Sequence, residues 1–157
     1  MNQIIENMYN RRSIRKYTDE PIKTEELNEL YKVIQSTQSW SNTQCWEIVN
    51  VEDPEIRKQL QTALPSKNPS FPAIVKAPAL LVICAKKGSS GYIGGELSSP
   101  HGDWYMYDPG LMTQNLCLAA NSLNIGTVVV GWFDHLKIQE ILNCPADIEV
   151  VSLVPMG

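Results

Sequence analysis

The sequence predicts one α+β domain over residues 1–157, with a central mixed β-sheet flanked by helices. Three observations carry this. Apolar stripes of helical period occur at Leu27, Leu30, Tyr31 and Ile34, and again at Ile56, Leu60 and Leu64. The unbroken apolar run 77–85 has the length of a strand buried on both faces. The stretch 111–123 is the most apolar helical pattern in the chain and would lie on that sheet.

The elements follow in order. Ile4, Ile5, Met8 and Tyr9 share one face of a short first helix, which runs into a basic loop at Arg11, Arg12, Ser13 and Arg15. Thr24 is the expected N-cap of the second helix, with Glu25 and Glu26 in its first turn. A polar loop over 35–44 precedes a strand at 46–51. Asp53 followed by Pro54 starts a third helix. Residues 65–76 hold three prolines and read as irregular, and 88–103, rich in Gly and Ser, as a loop or mobile hairpin. Asp108 and Pro109 form a second cap-plus-proline pair, opening the apolar helix that Asn124 can end in a left-handed conformation. A β-branched strand at 127–132, a short helix at 136–142 and a last strand at 149–154 complete the chain.

Composition excludes several classes. Seventeen acidic against thirteen basic residues argue against a nucleic-acid or polybasic membrane partner. The longest apolar run falls short of the ~20 residues of a membrane helix. The N-terminus lacks the pattern of a secretory signal, so a cytoplasmic protein is expected. Cys45, Cys84, Cys117 and Cys144 have no metal-ligand spacing, and no metal is expected. Cys84 and Cys117 read as core thiols; Cys45 lies in the polar loop.

Two segments invite a chemical reading. The glycines at 88, 91, 94 and 95 match neither the dinucleotide nor the P-loop spacing. The basic loop places three guanidiniums within five residues around a serine hydroxyl. That pattern suits either an anion such as phosphate or a solvated basic face. Gly131, at a strand end, marks either a bend or a close approach of backbone to ligand.

Five blocks then resemble one family in its own order. Arg11-Arg12-Ser13-Ile14-Arg15-Lys16-Tyr17, with Pro21-Ile22, is similar to the N-terminal signature of the nitroreductase family of FMN-dependent oxidoreductases. Ser39-Trp40-Ser41-Asn42-Thr43-Gln44-Cys45-Trp46 resembles its Ser-x-x-Asn-x-Gln-Pro-Trp loop, with Cys45 where the family usually has proline. Trp104 to Ala120 resembles its long central helix, Gly126 to Asp134 its flavin-facing strand end, and 153–157 its final core strand. The family usually continues past this point in an arm across the partner subunit, and larger members carry more helix in the region of 88–103. The resemblance is therefore to compact members, with the arm absent or truncated.

The resemblance implies a homodimer with FMN at the interface and NADH or NADPH as electron donor. Arg11 and Ser13 would hold the FMN phosphate, Arg12 would lie along the phosphate and ribityl chain, and Arg15 would face the pyrimidine edge. Ser39, Asn42 and Gln44 would reach the flavin from the other subunit, and the N–H groups of Gly131 and Trp132 would meet N5 and O4. The implied reaction is ping-pong reduction of nitroaromatic, quinone or related unsaturated acceptors. Reductive dehalogenation, ene reduction or oxygen-dependent flavin chemistry on the same scaffold is the alternative, as is a non-enzymatic flavin carrier or redox sensor. No catalytic side chain is required, because solvent can supply protons. His101 is either a proton donor, a lid contact or a plain loop histidine, and Tyr92, Trp104, Tyr105 and Tyr107 could stack on a flat acceptor. Trp40, Trp46 and Trp132 are large groups that a single subunit would have difficulty covering.

Overall fold

The computed structural model describes residues 2–157. In chain order the elements are α1 (Gln3–Asn10), α2 (Thr24–Ser36), a 3-10 turn (Trp40–Asn42), β1 (Trp46–Asn50), α3 (Pro54–Gln61), α4 (Ala73–Lys76) and β2 (Ala79–Lys86). They continue with β3 (Tyr92–Ile93), β4 (Glu96–Leu97), α5 (Tyr107–Ser122), α6 (His135–Ile141) and β5 (Ile148–Met156).

Strand β2 is the centre of a three-stranded sheet in the order β1-β2-β5. Its apolar run explains why: a strand flanked on both edges and covered on both faces has no polar position to place. Side chains alternate between the faces, as the strand period of two requires. Leu80, Val82 and Cys84 join Leu60, Ile74, Val128, Val130, Ile138 and Leu153 on one side, under α3, α4 and α6. Leu81 and Ile83 join Leu30, Ile34, Met112, Leu116 and Ala120 on the other, under α2 and α5.

Several expectations are corrected. The ladders are antiparallel rather than mixed, with Trp46 opposite Ala85 and Ala79 opposite Met156. Each connection between neighbouring strands begins and ends at the same end of the sheet, which forces opposite directions. The parallel contact is an isolated bridge between Ser13 and Thr127. Residues 127–132 touch β5 only through isolated bridges, at Thr127–Met156 and Val130–Leu153. Pro155 is the reason: its carbonyl accepts from Val128 N at 3.4 Å, but it has no N–H to return, so the ladder breaks between the two bridges.

At helix starts, Lys23 rather than Thr24 is the N-cap of α2, and the Glu26 carboxylate accepts from the Lys23 N–H at 3.1 Å. Asp53 caps α3 as expected, accepting from Glu55 N at 2.8 Å. Asp108 does not cap α5, which begins one residue earlier at Tyr107. The proline-rich stretch contains α4, and 88–103 forms the two-stranded β3–β4 hairpin. Asn124 follows α5 with φ 60°, as the sequence suggests. Among the described residues, no helix is long and apolar enough to cross a membrane.

Candidate functional site

The basic loop is seated between the start of the chain and the far end of α5. Asn7 of α1 donates to Leu118 O at 2.8 Å and accepts from Asn121 Nδ2 at 2.6 Å, tying α1 to α5. Beyond α1, Ile14 N donates to Thr127 O at 2.8 Å. The Ile14 side chain then lies against Gly126, where an added Cβ would stand 2.9 Å from it, so this approach requires glycine. The Tyr17 hydroxyl lies 2.7 Å from Ile14 O and 2.9 Å from Pro155 O, pinning the loop to β5. Burial pushes the Tyr17 phenol well above its ordinary value, a rise that nearby Arg15 opposes.

The loop's own cations stay available. Among the described residues, Arg11, Arg12 and Arg15 have no acidic partner within salt-bridge distance. Arg12 folds back onto the end of α1, donating to Tyr9 O and to Arg11 O at 2.9 Å, and Arg15 reaches only Ser13 O at 3.4 Å. Arg12, Ser13 and Arg15 are exposed and Arg11 half-buried. Guanidiniums clustered without acids form a donor set suited to phosphate.

The second region, residues 39–44, is built differently. Ser41, Asn42 and Gln44 have φ of 47°, 55° and 45°, a left-handed conformation that non-glycine residues adopt at a cost. Two side chains expected to face a ligand are occupied in bracing it. Ser39 Oγ accepts from Gln44 N at 2.8 Å, and Gln44 Nε2 donates to Gln35 O at 2.7 Å. The Asn42 side chain is exposed and makes no hydrogen bond among the described residues.

Beneath this loop lies a residue that sequence reasoning assigned to another task. Asp108 has no exposed surface, and its carboxylate accepts from Trp40 N at 3.1 and 3.2 Å and from Ser90 Oγ at 2.5 Å. Cys45 Sγ lies 3.9 Å from the same carboxylate. Cys45 is thus buried rather than part of an open polar loop. Burial and the neighbouring Asp108 push its thiol up to about 11, which keeps it protonated and weakly nucleophilic. The pairing of Asp108 with Pro109 resembled a helix cap; the tie to Trp40, 68 residues away, has no local signature.

The third region is the turn at Gly131 and Trp132, both exposed. Among the described residues neither backbone N–H has a hydrogen-bond partner, nor does that of Phe133, whereas Val130 N and Asp134 N, which bracket the three, do. A Cβ on Gly131 would touch nothing within 4 Å, so the fold itself has no steric need of glycine there. The turn is held from behind: Asn68 Nδ2 donates to Trp132 O at 2.9 Å, and Asp134 N donates to Ala63 O at 2.9 Å. Lys67 sits over the Trp132 ring, 5.4 Å from its centre. Of the three tryptophans singled out, Trp46 is buried, Trp40 half-buried and Trp132 is 52% exposed. His101 is exposed, and Trp104 meets Tyr107 edge-on at 4.9 Å rather than leaving both rings free.

One chain does not bring all three regions together. Ser13 bridges Thr127, which pairs with Met156 opposite Ala79, at one end of β2. Lys86 N, at the other end, donates to Cys45 O, next to Gln44. The strand between them spans roughly 24 Å at ~3.4 Å per residue. The basic loop and the braced loop therefore stand at opposite ends of the sheet.

Comparison with known proteins agrees with this architecture. The model of the Nitroreductase family matches residues 8–74 and 66–157. An Archaeoglobus fulgidus protein with the provisional name NADH dehydrogenase/NAD(P)H nitroreductase is 32% identical over all of this chain and 86% of its own length. A Bacillus subtilis FMN reductase [NAD(P)H] is 30% identical over all of this chain and 66% of its own, so the chain spans about two thirds of that relative. The crystal structure of a nitroreductase family protein from Clostridium novyi NT matches with a TM-score of 0.86 and 24% identity, covering 98% of this chain and 83% of that one. With its basic loop, its braced loop and its open glycine turn all lying within the matched residues, the chain belongs to the nitroreductase family.

Proposed function

We propose that this chain binds FMN between two copies of itself and uses it to pass electron pairs from NADH or NADPH to nitroaromatic, quinone or related unsaturated acceptors. It is an enzyme of the FMN-dependent NAD(P)H oxidoreductase class. Bound FMN supplies the two-electron chemistry through its N5 position. The residues present fit that group. Arg11 and Ser13 would hold its phosphate, with Arg12 alongside, and Arg15 would face the pyrimidine edge, where a fixed cation favours the extra negative charge of the reduced ring. The Gly131 and Trp132 N–H groups would donate to N5 and O4. Ser39, Asn42 and Gln44 would come from the second copy, with Asn42 supplying the free side chain.

The observation that carries this reading is the pair of unpartnered N–H groups at Gly131 and Trp132, on an exposed turn where a Cβ would meet nothing. Backbone donors left open on a turn anchored from behind are what a planar ligand with ring acceptors requires. The separation of the basic and braced loops supports the second copy. So does α1, which buries none of its residues and exposes Ile4, Ile5, Met8 and Tyr9. A cytoplasmic setting, with the thiols kept reduced, suits the reading.

Anaerobic stopped-flow mixing of the FMN-loaded protein with NADH and with NADPH tests it. Bleaching of the flavin by at least one donor, followed by recovery of colour on adding a quinone or nitroaromatic, is expected. Tight FMN binding without bleaching would instead make the protein a flavin carrier.

A further inference from the structure

We propose that Asp108 is a positioning residue for the flavin: its buried carboxylate holds the 39–44 loop in its ligand-ready shape and couples that loop to the base of the β3–β4 hairpin. The inference rests on the reading of that loop as part of the flavin site.

Two independent observations meet at this residue. The first is an energetic mismatch. Asp108 is fully buried, and among the described residues no cation lies within salt-bridge distance of it. Its partners are neutral: the Trp40 N–H, the Ser90 hydroxyl and the Cys45 thiol. The first turn of α5 offsets part of the charge. Even so, a buried carboxylate without a cation is an expensive way to fill a core position. The second observation is strain. Of the four residues that follow Trp40, three have positive φ and none is glycine. Such backbone persists only where its surroundings over-determine it.

The carboxylate does this at both ends of the loop. It takes the Trp40 N–H at the entrance and faces the Cys45 thiol at the exit, so the strained residues span two points fixed to one group. Charge-assisted bonds are about twice as strong as neutral ones, which gives a carboxylate a holding power that an amide of the same shape lacks. The third bond reaches Ser90, whose carbonyl accepts from Trp104 N at 3.0 Å. The hairpin that begins there is thereby set relative to the loop. Asp108 itself is sealed from solvent and acts on the flavin only through what it holds.

The test compares Asp108→Ala, Asp108→Asn and Asn42→Ala with the parent, each as the FMN-loaded protein. FMN affinity, the visible circular dichroism of the bound flavin and its reduction rate by NAD(P)H at FMN saturation are measured beside the melting temperature. Asp108→Ala is expected to weaken FMN by about tenfold or more, the loss of one hydrogen bond to a charged group. Asp108→Asn should restore part of the affinity and still alter the flavin's dichroism and slow its reduction, with the melting temperature kept or raised. Should Asp108→Ala fail to fold, the Asn variant alone decides. If Asp108→Asn leaves affinity, dichroism and reduction rate at parental values while Asn42→Ala changes them, the positioning role is wrong and the site reading stands. If Asn42→Ala changes nothing either, the loop does not face the flavin and both fall together.

Discussion

The basic loop and the braced loop solve opposite problems. Arg11, Arg12 and Arg15 sit on a loop fixed by the neighbours of its backbone: Gly126 behind Ile14, and Tyr17 bridging Ile14 O and Pro155 O. Among the described residues their guanidiniums have no acidic partner, so in the proposed site this region would capture an anion by charge. Residues 39–44 carry no charged side chain. Their contribution is shape, held against backbone strain by Ser39, Gln44 and the buried Asp108. The difference teaches that, in the proposed site, affinity and geometry would come from separate parts of the chain, and they should fail separately.

The largest effect is expected at the charged end. Arg11→Ala should weaken FMN by about 1.5–3 kcal/mol, the scale of a charge-assisted hydrogen bond, or roughly 10- to 150-fold in dissociation constant. The midpoint potential should scarcely move, because the phosphate carries the same charge in both redox states. Arg15→Ala should instead lower the potential, by about 30 mV for each ~1.4 kcal/mol of lost stabilisation of the reduced ring. Potentiometric titration of both variants at FMN saturation separates them, and equal drops would contradict the division of the loop.

The seat of the loop comes next. Gly126→Ala drives a methyl into Ile14 and should cost about 1–3 kcal/mol of stability, as overpacking does. It should also weaken FMN, since Ile14 lies between Ser13 and Arg15. Denaturant unfolding and FMN titration check both, and a stable variant with weakened FMN would place the effect on the loop alone. Tyr17→Phe removes the hydroxyl that pins the loop to β5 and should cost about 1 kcal/mol. Its pH signature has a definite sign. Burial raises the folded Tyr17 pKa, so its stabilisation is complete below the unfolded value of about 10 and is lost as pH rises above it. The buried thiols lose stability in the alkaline range too, so the test is the difference in slope. Parental stability should fall more steeply above pH 10 than that of Tyr17→Phe.

The smallest effect belongs to the braced loop's exposed strain. Ser41→Gly relieves about 1–2 kcal/mol of left-handed backbone, offset by about 0.4–1 kcal/mol of added freedom in the unfolded chain. Thermal unfolding should show a gain of up to about 1.5 kcal/mol, with FMN affinity unchanged. A loss of stability would mean that the Ser41 side chain, not its backbone, matters to the loop.

What was legible in the sequence follows the range of the forces involved. The apolar run of β2, the stripes of α2 and α3 and the Asp53–Pro54 start are local patterns, and the structure keeps them. The basic loop was legible because charge is written in residue type. Three things were not. The broken ladder at 127–132 depends on Pro155, 25 residues beyond Val130. The open N–H groups of Gly131 and Trp132 are named only through the family resemblance, because a backbone donor is carried by every residue but proline and leaves no mark in the residue pattern. Asp108 looked like a cap because its local context, acid before proline, is that of Asp53; only the fold brings Trp40, Ser90 and Cys45 around it. Contacts set by tertiary packing leave no periodic trace.

The central claim is that one flavin is held by the basic loop of one chain and the 39–44 loop of another. Subunit mixing tests this most directly. Arg11→Ala and Asn42→Ala proteins, each with weakened FMN binding, are unfolded together, refolded and titrated with FMN. In a mixed dimer with a shared site, both lesions fall in one site and the other is intact. The account therefore predicts that sites of parental affinity appear only in the mixture. If the mixture titrates as the sum of the two separate variants, although mixed dimers have formed, each site lies within a single chain and the account is contradicted.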